Sequence, residues 1–306
     1  MRLLLAISTV WRSRKSVSGK DLIDEMRKLP INGLELEFRI PPLMYEEMIP
    51  CLHEGRISIV SLHNYFPVPD ILLPSEGSGD AFLLSSDDED ERELAVKYSK
   101  KTLRIAKELG VANVIFHLGL IPIEYTKRSI MEALVEEARK GSQNSKLLNK
   151  VIDMRESAKG RYLSNCLNSL EELFEEAERL SVTICLENRF YPTEMPNLEE
   201  MTMIFERYKG APVKYWHDVG HAVVQDRLGF DTNDDLIREN VSRMAGVHLH
   251  DVFGFKDHLA PGSGEVDFKH IKSVLPEGIF QVIEVHEQAT ATELVRSIEY
   301  LQSLGY

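Results

Sequence analysis

Several apolar runs in this chain end on a side chain that can bind a metal or move a proton. They are Ser61-Leu62-His63, Ile115-Phe116-His117, Cys185-Leu186-Glu187, Trp216-His217-Asp218 and Val282-Ile283-Glu284. Another run, Val247-His248-Leu249-His250-Asp251, delivers two histidines and an aspartate ahead of the glycine-containing loop Pro261-Gly262-Ser263-Gly264. Carboxylates and imidazoles in this mixture suit Mn²⁺, Zn²⁺, Co²⁺ or Mg²⁺. Glu187 closes an apolar strand, so it needs a cation or a hydrogen bond. A structural ion pair with Arg189 is the plain alternative to metal ligation. Asp218 and His221 stand three residues apart across Gly220 and can converge on one cation or bracket a substrate hydroxyl. His248 and His250 share one strand face, and only one of them need be a ligand. Asp251 and the downstream Asp257-His258 argue against a merely structural role for that pair. Glu284 supplies a second carboxylate opposite Glu187. Two carboxylates beside a divalent ion suit proton transfer next to a carbonyl, with the ion polarising the carbonyl oxygen.

Positioning so many strand ends together requires a closed parallel sheet. Short apolar runs at residues 3–8, 33–38, 57–63, 113–117, 182–187, 213–218, 246–250 and 280–284 alternate with amphipathic segments, among them 21–29, 90–109 and 162–180. Gly110 stands where a helix should end, directly before the fourth run. Eight strands with helices between them, in 306 residues, is the pattern of an α/β fold, a (β/α)8 TIM barrel forming one domain over 1–306. An open doubly wound sheet is less consistent, because the first strand-to-helix turn has no GxGxxG. In the second strand, Glu35, Glu37 and Arg39 fall on the face opposite Leu34, Leu36 and Phe38. Glu37 alone is assigned to the inner mouth, and the other two charges are read as solvated. The Pro- and Gly-rich stretch 64–89 is read as a loop over the mouth, and its acidic end as the start of a helix. Residues 121–160 exceed what the repeat needs. They are read as a helical insertion after strand four, with helices at 130–140 and 146–158, forming a lid or a contact in a homo-oligomer.

The bulk numbers narrow the partners. A hydrophobic share of 43% is enough for a full core. The formal charge of −13 lowers the prior for nucleic acid. Cys51, Cys166 and Cys185 are far apart, which suits a reducing compartment. The apolar start, residues 1–7, is too short for a signal peptide and gives way to Trp11-Arg12-Ser13-Arg14-Lys15. No stretch reaches membrane-spanning length, so the expectation is a cytoplasmic protein.

Taken in order, Glu187-Asn188-Arg189, Asp218-Val219-Gly220-His221, His248-Leu249-His250-Asp251 with Pro261-Gly262-Ser263-Gly264, and Glu284 resemble the xylose isomerase-like TIM-barrel superfamily over nearly the whole chain. That superfamily holds sugar (phosphate) isomerases and epimerases and the endonuclease IV enzymes. In the ketose 3-epimerase branch, the resemblance implies one metal held by Glu187, Asp218, His248 and Glu284. Glu187 and Glu284 would also act as the acid/base pair, and His221 would bind substrate oxygens. The endonuclease IV branch holds several zinc ions and would add His63, His117 and His221 as ligands. Its Asp-x-His pair has its nearest match in Asp257-His258, adjacent rather than spaced by one. The first expectation is a divalent-metal-dependent isomerase or epimerase acting on a small-molecule carbohydrate, with His63, His117, His221, Asp257, His258 and Arg189 binding substrate or a second metal. An abasic-site phosphodiesterase is the second, and a non-catalytic binding protein on the same scaffold is the third.

Overall fold

A computed structural model describes residues 5–31, 33–54, 57–140 and 146–306. Parallel strands close a barrel in chain order: β1 (Leu5–Ser8), β2 (Gly33–Leu36), β3 (Ser58–His63), β4 (Asn113–Phe116), β5 (Thr183–Glu187), β6 (Val213–Asp218), β7 (Met244–Leu249) and β8 (Phe280–Ile283). β8 pairs with β7 on one side and with β1 on the other, so the sheet has no free edge. This is the eight-stranded barrel that the repeat of apolar runs implies. The expected strand at 3–8 begins at Leu5, since residues 3 and 4 lie outside the described residues. β2 and β8 stop short of the expected ends. Glu37 and Glu284 therefore stand just beyond the sheet, where the chain leaves the barrel.

Period-two alternation sorts the strand residues into two layers. Leu34, Leu62, Val114, Ile184, Leu186, Val247 and Ile283 join the outer core under the helices. The inner face begins with a separate apolar cluster of Ala6, Val60, Ile115, Cys185, Trp216, Ala245 and Val282. Trp216 fills the barrel by lying over Gly246, where a Cβ would come within 2.3 Å of its ring. Register shifts at Val60 and Ala245 reset the alternation on β3 and β7. With that adjustment the inward rows run on toward the carboxyl ends of the strands to the polar residues, so the apolar cluster is the floor on which the site stands.

Helices cover the outside. The acidic run does open a helix: Asp88 accepts hydrogen bonds from the Asp90 and Glu91 N–H groups at the start of Glu89–Glu108. Gly110 follows that helix with φ +69°, a conformation that favours glycine. The insertion departs from expectation. A helix spans Lys127–Arg139, but the segments expected at 146–158 and 162–180 are one 35-residue helix, Lys146–Leu180. Its buried stripe runs through Leu148, Val151, Arg155, Cys166, Leu170 and Leu173, and packing carries the helix past Gly160. Residues 141–145 between the two helices lie outside the described residues. Arg155 is buried and clasps both carboxylate oxygens of Glu200 at 2.8 and 2.9 Å. It also donates to the Glu194 carbonyl, tying the insertion to the loop after β5. The three cysteines are free and buried, and among the described residues no helix is long and apolar enough to cross a membrane.

The reading of strand two needs correction. Glu35 and Glu37 are both fully buried, and Arg39 is partly buried. Glu35 faces the barrel interior and is not solvated. Glu37 accepts the Arg39 backbone N–H through Oε2, while its Oε1 is buried with no hydrogen-bond partner. Burial, against the pull of the Arg39 cation, pushes the Glu37 carboxyl up to about 7. A group raised by folding stabilises the fold at low pH, and that contribution is lost as pH rises from about 4.5 through about 7. At roughly 1.4 kcal/mol per pH unit the loss is on the order of 3 kcal/mol. Glu37→Gln is therefore expected to melt above the parent at pH 8 and level with it at pH 5, as read by thermal denaturation. Equal differences at both pH values would refute this assignment.

Candidate metal and active site

Glu187 ends β5 on the inner face and is fully shut from solvent. Its Oε1 lies 2.6 Å from His248 Nδ1, and its Oε2 lies 2.8 Å from His117 Nε2 and 3.2 Å from Arg189. Burial alone would raise this carboxyl. Hydrogen bonds with His117, His248 and His63 outweigh it and hold the group well below the usual range. His248 Nδ1 is also 3.1 Å from Glu284 Oε2 and 3.7 Å from Asp218 Oδ2. One imidazole from β7 thus faces three carboxylates from β5, β6 and the end of β8. Although burial opposes it, the charges of Glu284 and Glu35 raise His248 well above its ordinary value.

The far side of that imidazole belongs to Glu35, which sequence reasoning left in solvent. His248 Nε2 lies 3.1 and 3.2 Å from the Glu35 oxygens, and Ser61 Oγ donates to Glu35 at 2.7 Å. Alternation in β2 places Glu35 on the face of Glu37. The available signal was that a closed barrel buries that whole face.

The remaining expected residues divide into two groups. On the β3–β4 side, His63 Nε2 lies 3.7 Å from Glu187. His117 spans Glu187 and Asp80, at 2.8 and 2.9 Å. Asp80 comes from the 64–89 loop, which does cross the mouth: a Cβ on Gly79 would touch the His117 and His63 rings. Asp80 also pairs with Arg189 at 3.3 Å, and Glu194 with Lys127 at 2.9 Å. None of Asp80, Lys127 and Glu194 was identified from sequence, because they lie in a loop, at the first position of a helix and in a two-residue strand, where no periodic pattern marks them. On the β6–β7 side, His221 Nε2 lies 3.8 Å from Asp257, which pairs with His258 at 2.9 Å. Burial opposes that gain, but Asp257 raises His258 to about 9. His258 Nε2 stands 3.8 Å from Glu284, and its ring stacks on His286 with centroids 4.0 Å apart. His286 was also missed.

The other residues of these motifs take up structural contacts. His250 Nε2 approaches Asp218 at 2.8 Å while its Nδ1 accepts the His258 backbone N–H, so both ring nitrogens are engaged within the protein. Asp251 does not enter the site. It accepts the backbone N–H groups of Val252, Gly262, Gly264 and Val266, and so holds the glycine loop. His217 points outward to Tyr215 and Asn233. Gly220 adopts an ordinary helical conformation, and its purpose is close approach: a Cβ there would lie 2.0 Å from the His250 ring.

The donor set fits a divalent cation. One ligand atom each from Glu187, Asp218, His248 and Glu284 lies within 4.8 Å of the others, and all four residues are buried. Three clustered carboxylates against one imidazole leave a negative excess that a doubly charged ion would balance. His63, His117 and Glu187 form a second such group, as do His221, His250 and His258.

The sequence matches the family model described as xylose isomerase-like TIM barrel over residues 23–304. No curated protein matches it. Among solved structures, a D-tagatose 3-epimerase-like protein superposes with TM-score 0.71 at 18% identity, covering 99% of this chain and 97% of that one. D-psicose 3-epimerase from Clostridium cellulolyticum, solved with D-tagatose, gives 0.68 at 17%, covering 99% of each. A Thermus thermophilus protein soaked with ZnCl2 gives 0.61 at 21%, covering 100% of this chain and 98% of that one. At these identities the likeness concerns the fold alone.

Removing Glu35 would strand the buried Nε2 side of His248. Glu35→Ala is expected to cost about 3 to 5 kcal/mol in denaturant unfolding. A loss under about 1 kcal/mol would contradict the pairing. Gly220→Ala should cost about 1 to 3 kcal/mol by displacing His250, and a parent-like midpoint would argue against that contact.

Proposed function

The chain belongs to the xylose isomerase-like TIM barrel family, and on that premise we propose that it is a divalent-metal-dependent isomerase or epimerase of a small sugar, sugar phosphate or polyol. The observation that carries this reading is the convergence of Glu187, Asp218, His248 and Glu284 in one buried cluster at the barrel mouth. The cluster opens into a cavity of about 450 Å³ lined by Glu187, Glu284, His221 and His258 among others, a size suited to a small polar ligand. Ketose 3-epimerases of the same fold favour the carbohydrate reading further.

Glu187, Asp218, His248 and Glu284 would hold the ion, which when bound supplies Lewis-acid polarisation of a sugar carbonyl. Glu187 and Glu284 are the acid/base pair of this reading. One takes the proton beside the carbonyl, and the other returns a proton to the opposite face or the neighbouring carbon. Glu35 orients His248 by accepting from its Nε2. His221 and His258 supply polar atoms for substrate hydroxyls, and the 64–89 loop with Asp80 and Gly79 limits water at the mouth.

A second reading draws on one specific observation. Glu187 belongs both to the main cluster and to the His63–His117 group, so these residues would hold more than one ion between them, and together the ions would supply the charge neutralisation that zinc-dependent cleavage of abasic DNA needs. The formal charge of −13 weighs against a phosphodiester substrate.

Ketoses and ketose phosphates incubated with the metal-loaded protein in deuterated water are expected to gain deuterium next to the carbonyl. Glu187→Gln should lower that exchange by about 10³-fold or more while leaving the melting profile folded. Chelator treatment should abolish exchange, and added Mn²⁺ or Co²⁺ should restore it. Exchange that survives Glu187→Gln at the parent rate would sink the assignment, and abasic-site cleavage with two or three bound zinc ions would favour the second reading.

A further inference from the structure

The cavity over the carboxylate cluster is lined by four strong cations, Arg14, Arg39, Lys127 and Arg189. They are not equivalent. Lys127 lies 2.9 Å from Glu194 and 3.6 Å from Asp80. Arg189 lies 3.2 Å from Glu187, 3.3 Å from Asp80 and 3.5 Å from Glu194. The protein's own carboxylates therefore neutralise both cations on the β4–β5 side of the mouth.

On the opposite side, Arg39 follows β2 and Arg14 follows β1. The Arg39 side chain is only 17% exposed, and its nearest carboxylate oxygen, Glu37 Oε2, lies at 3.8 Å. That oxygen already accepts the Arg39 backbone N–H. The Arg39 Nε is shut from solvent without an acceptor, and among the described residues its guanidinium makes no hydrogen bond. Its other contact is with the ring of Phe38, 5.3 Å from the centroid, which holds the plane without satisfying a donor. Arg14 is exposed and forms no ion pair among the described residues. A buried Nε without an acceptor is costly, and the terminal nitrogens make no hydrogen bond among the described residues, so the fork is free to take a ligand. The planar fork of arginine matches the oxygens of a phosphate or carboxylate in pairs.

We propose that the substrate carries an anionic group, a phosphate or a carboxylate, which docks on Arg39 and Arg14 at the β1–β2 side of the mouth while the sugar carbonyl faces Glu187 and Glu284. This deepens the sugar isomerase reading and rests on it for the orientation of the substrate. No cluster of arginines is visible in the sequence, because the two residues stand 25 positions apart. Only the adjacency of β1 and β2 brings them to one cavity wall.

Open-chain polyols test the anion site without turnover, since they have no carbonyl to react. Calorimetric titration of the metal-loaded protein with D-glucitol, D-glucitol 6-phosphate and D-gluconate separates the two anions from the neutral chain. At least one anion is expected to bind roughly 10- to 100-fold tighter than D-glucitol, the range for charge-assisted hydrogen bonds. Preference for the phosphate ester assigns a phosphoryl group, and preference for D-gluconate assigns a carboxylate. Arg39→Met should erase the difference, Arg39→Lys should keep part of it, and Arg14→Met should lose a smaller part, each checked for a parent-like melting curve. D-Glucitol binding as tightly as both anions would overturn the proposal, as would a preference that survives Arg39→Met. Neither result depends on whether the protein turns over a sugar, so a failure here is distinct from failure of the isomerase reading.

Discussion

Like charges gathered in a small dry volume are the constraint on which this structure depends. Glu35, Glu187, Asp218 and Glu284 all reach the inner mouth of the barrel, and none is free in water. Each must meet a positive or hydrogen-bonding partner there. His248 meets all four, with Glu35 on one ring nitrogen and the other three carboxylates on the other. The surrounding residues extend the same logic outward: His117 and Arg189 against Glu187, His221 and His250 against Asp218, and His258 beside Glu284. A divalent ion among Glu187, Asp218, His248 and Glu284 would complete this balance and provide the electrophile that the proposed chemistry needs.

The scaffold serves that constraint through close approach. Trp216 lies over Gly246 and seals the floor, keeping the carboxylates on an apolar base. Gly220 lets the His250 ring pass, so that it can reach Asp218. Asp251 uses both oxygens to gather four backbone N–H groups of the following turn and loop, which steadies the segment carrying His258. Arg155 ties the long insertion helix to Glu200 and the Glu194 carbonyl, and Glu194 in turn neutralises Lys127 and Arg189. Helix, loop and strand thus reach the site through named contacts.

Much of this could be read from sequence, for a physical reason. Barrel strands are short, apolar and buried, so a polar residue at or beside the end of one stands out, as Glu187, Asp218, His248 and Glu284 do. What escaped notice lacked that contrast. Glu35 sits within a strand whose alternation equally describes a solvated face, and only closure of the sheet removes the ambiguity. Asp80, Lys127 and Glu194 lie in a loop, at a helix start and in a two-residue strand, where position depends on tertiary contacts. Asp251 had the right type and place but was taken up by backbone N–H groups. Helices were expected separately at 146–158 and 162–180, yet the apolar stripe continues through Gly160 as one helix.

The central claim is that Glu187, Asp218, His248 and Glu284 hold one divalent ion. The most direct test is an anomalous difference map from crystals of the protein loaded with Co²⁺. The account predicts a strong peak bounded by those four side chains, with Glu35 remaining on the far nitrogen of His248. A map with no peak there, or with cobalt only among His221, His250 and His258, would contradict it.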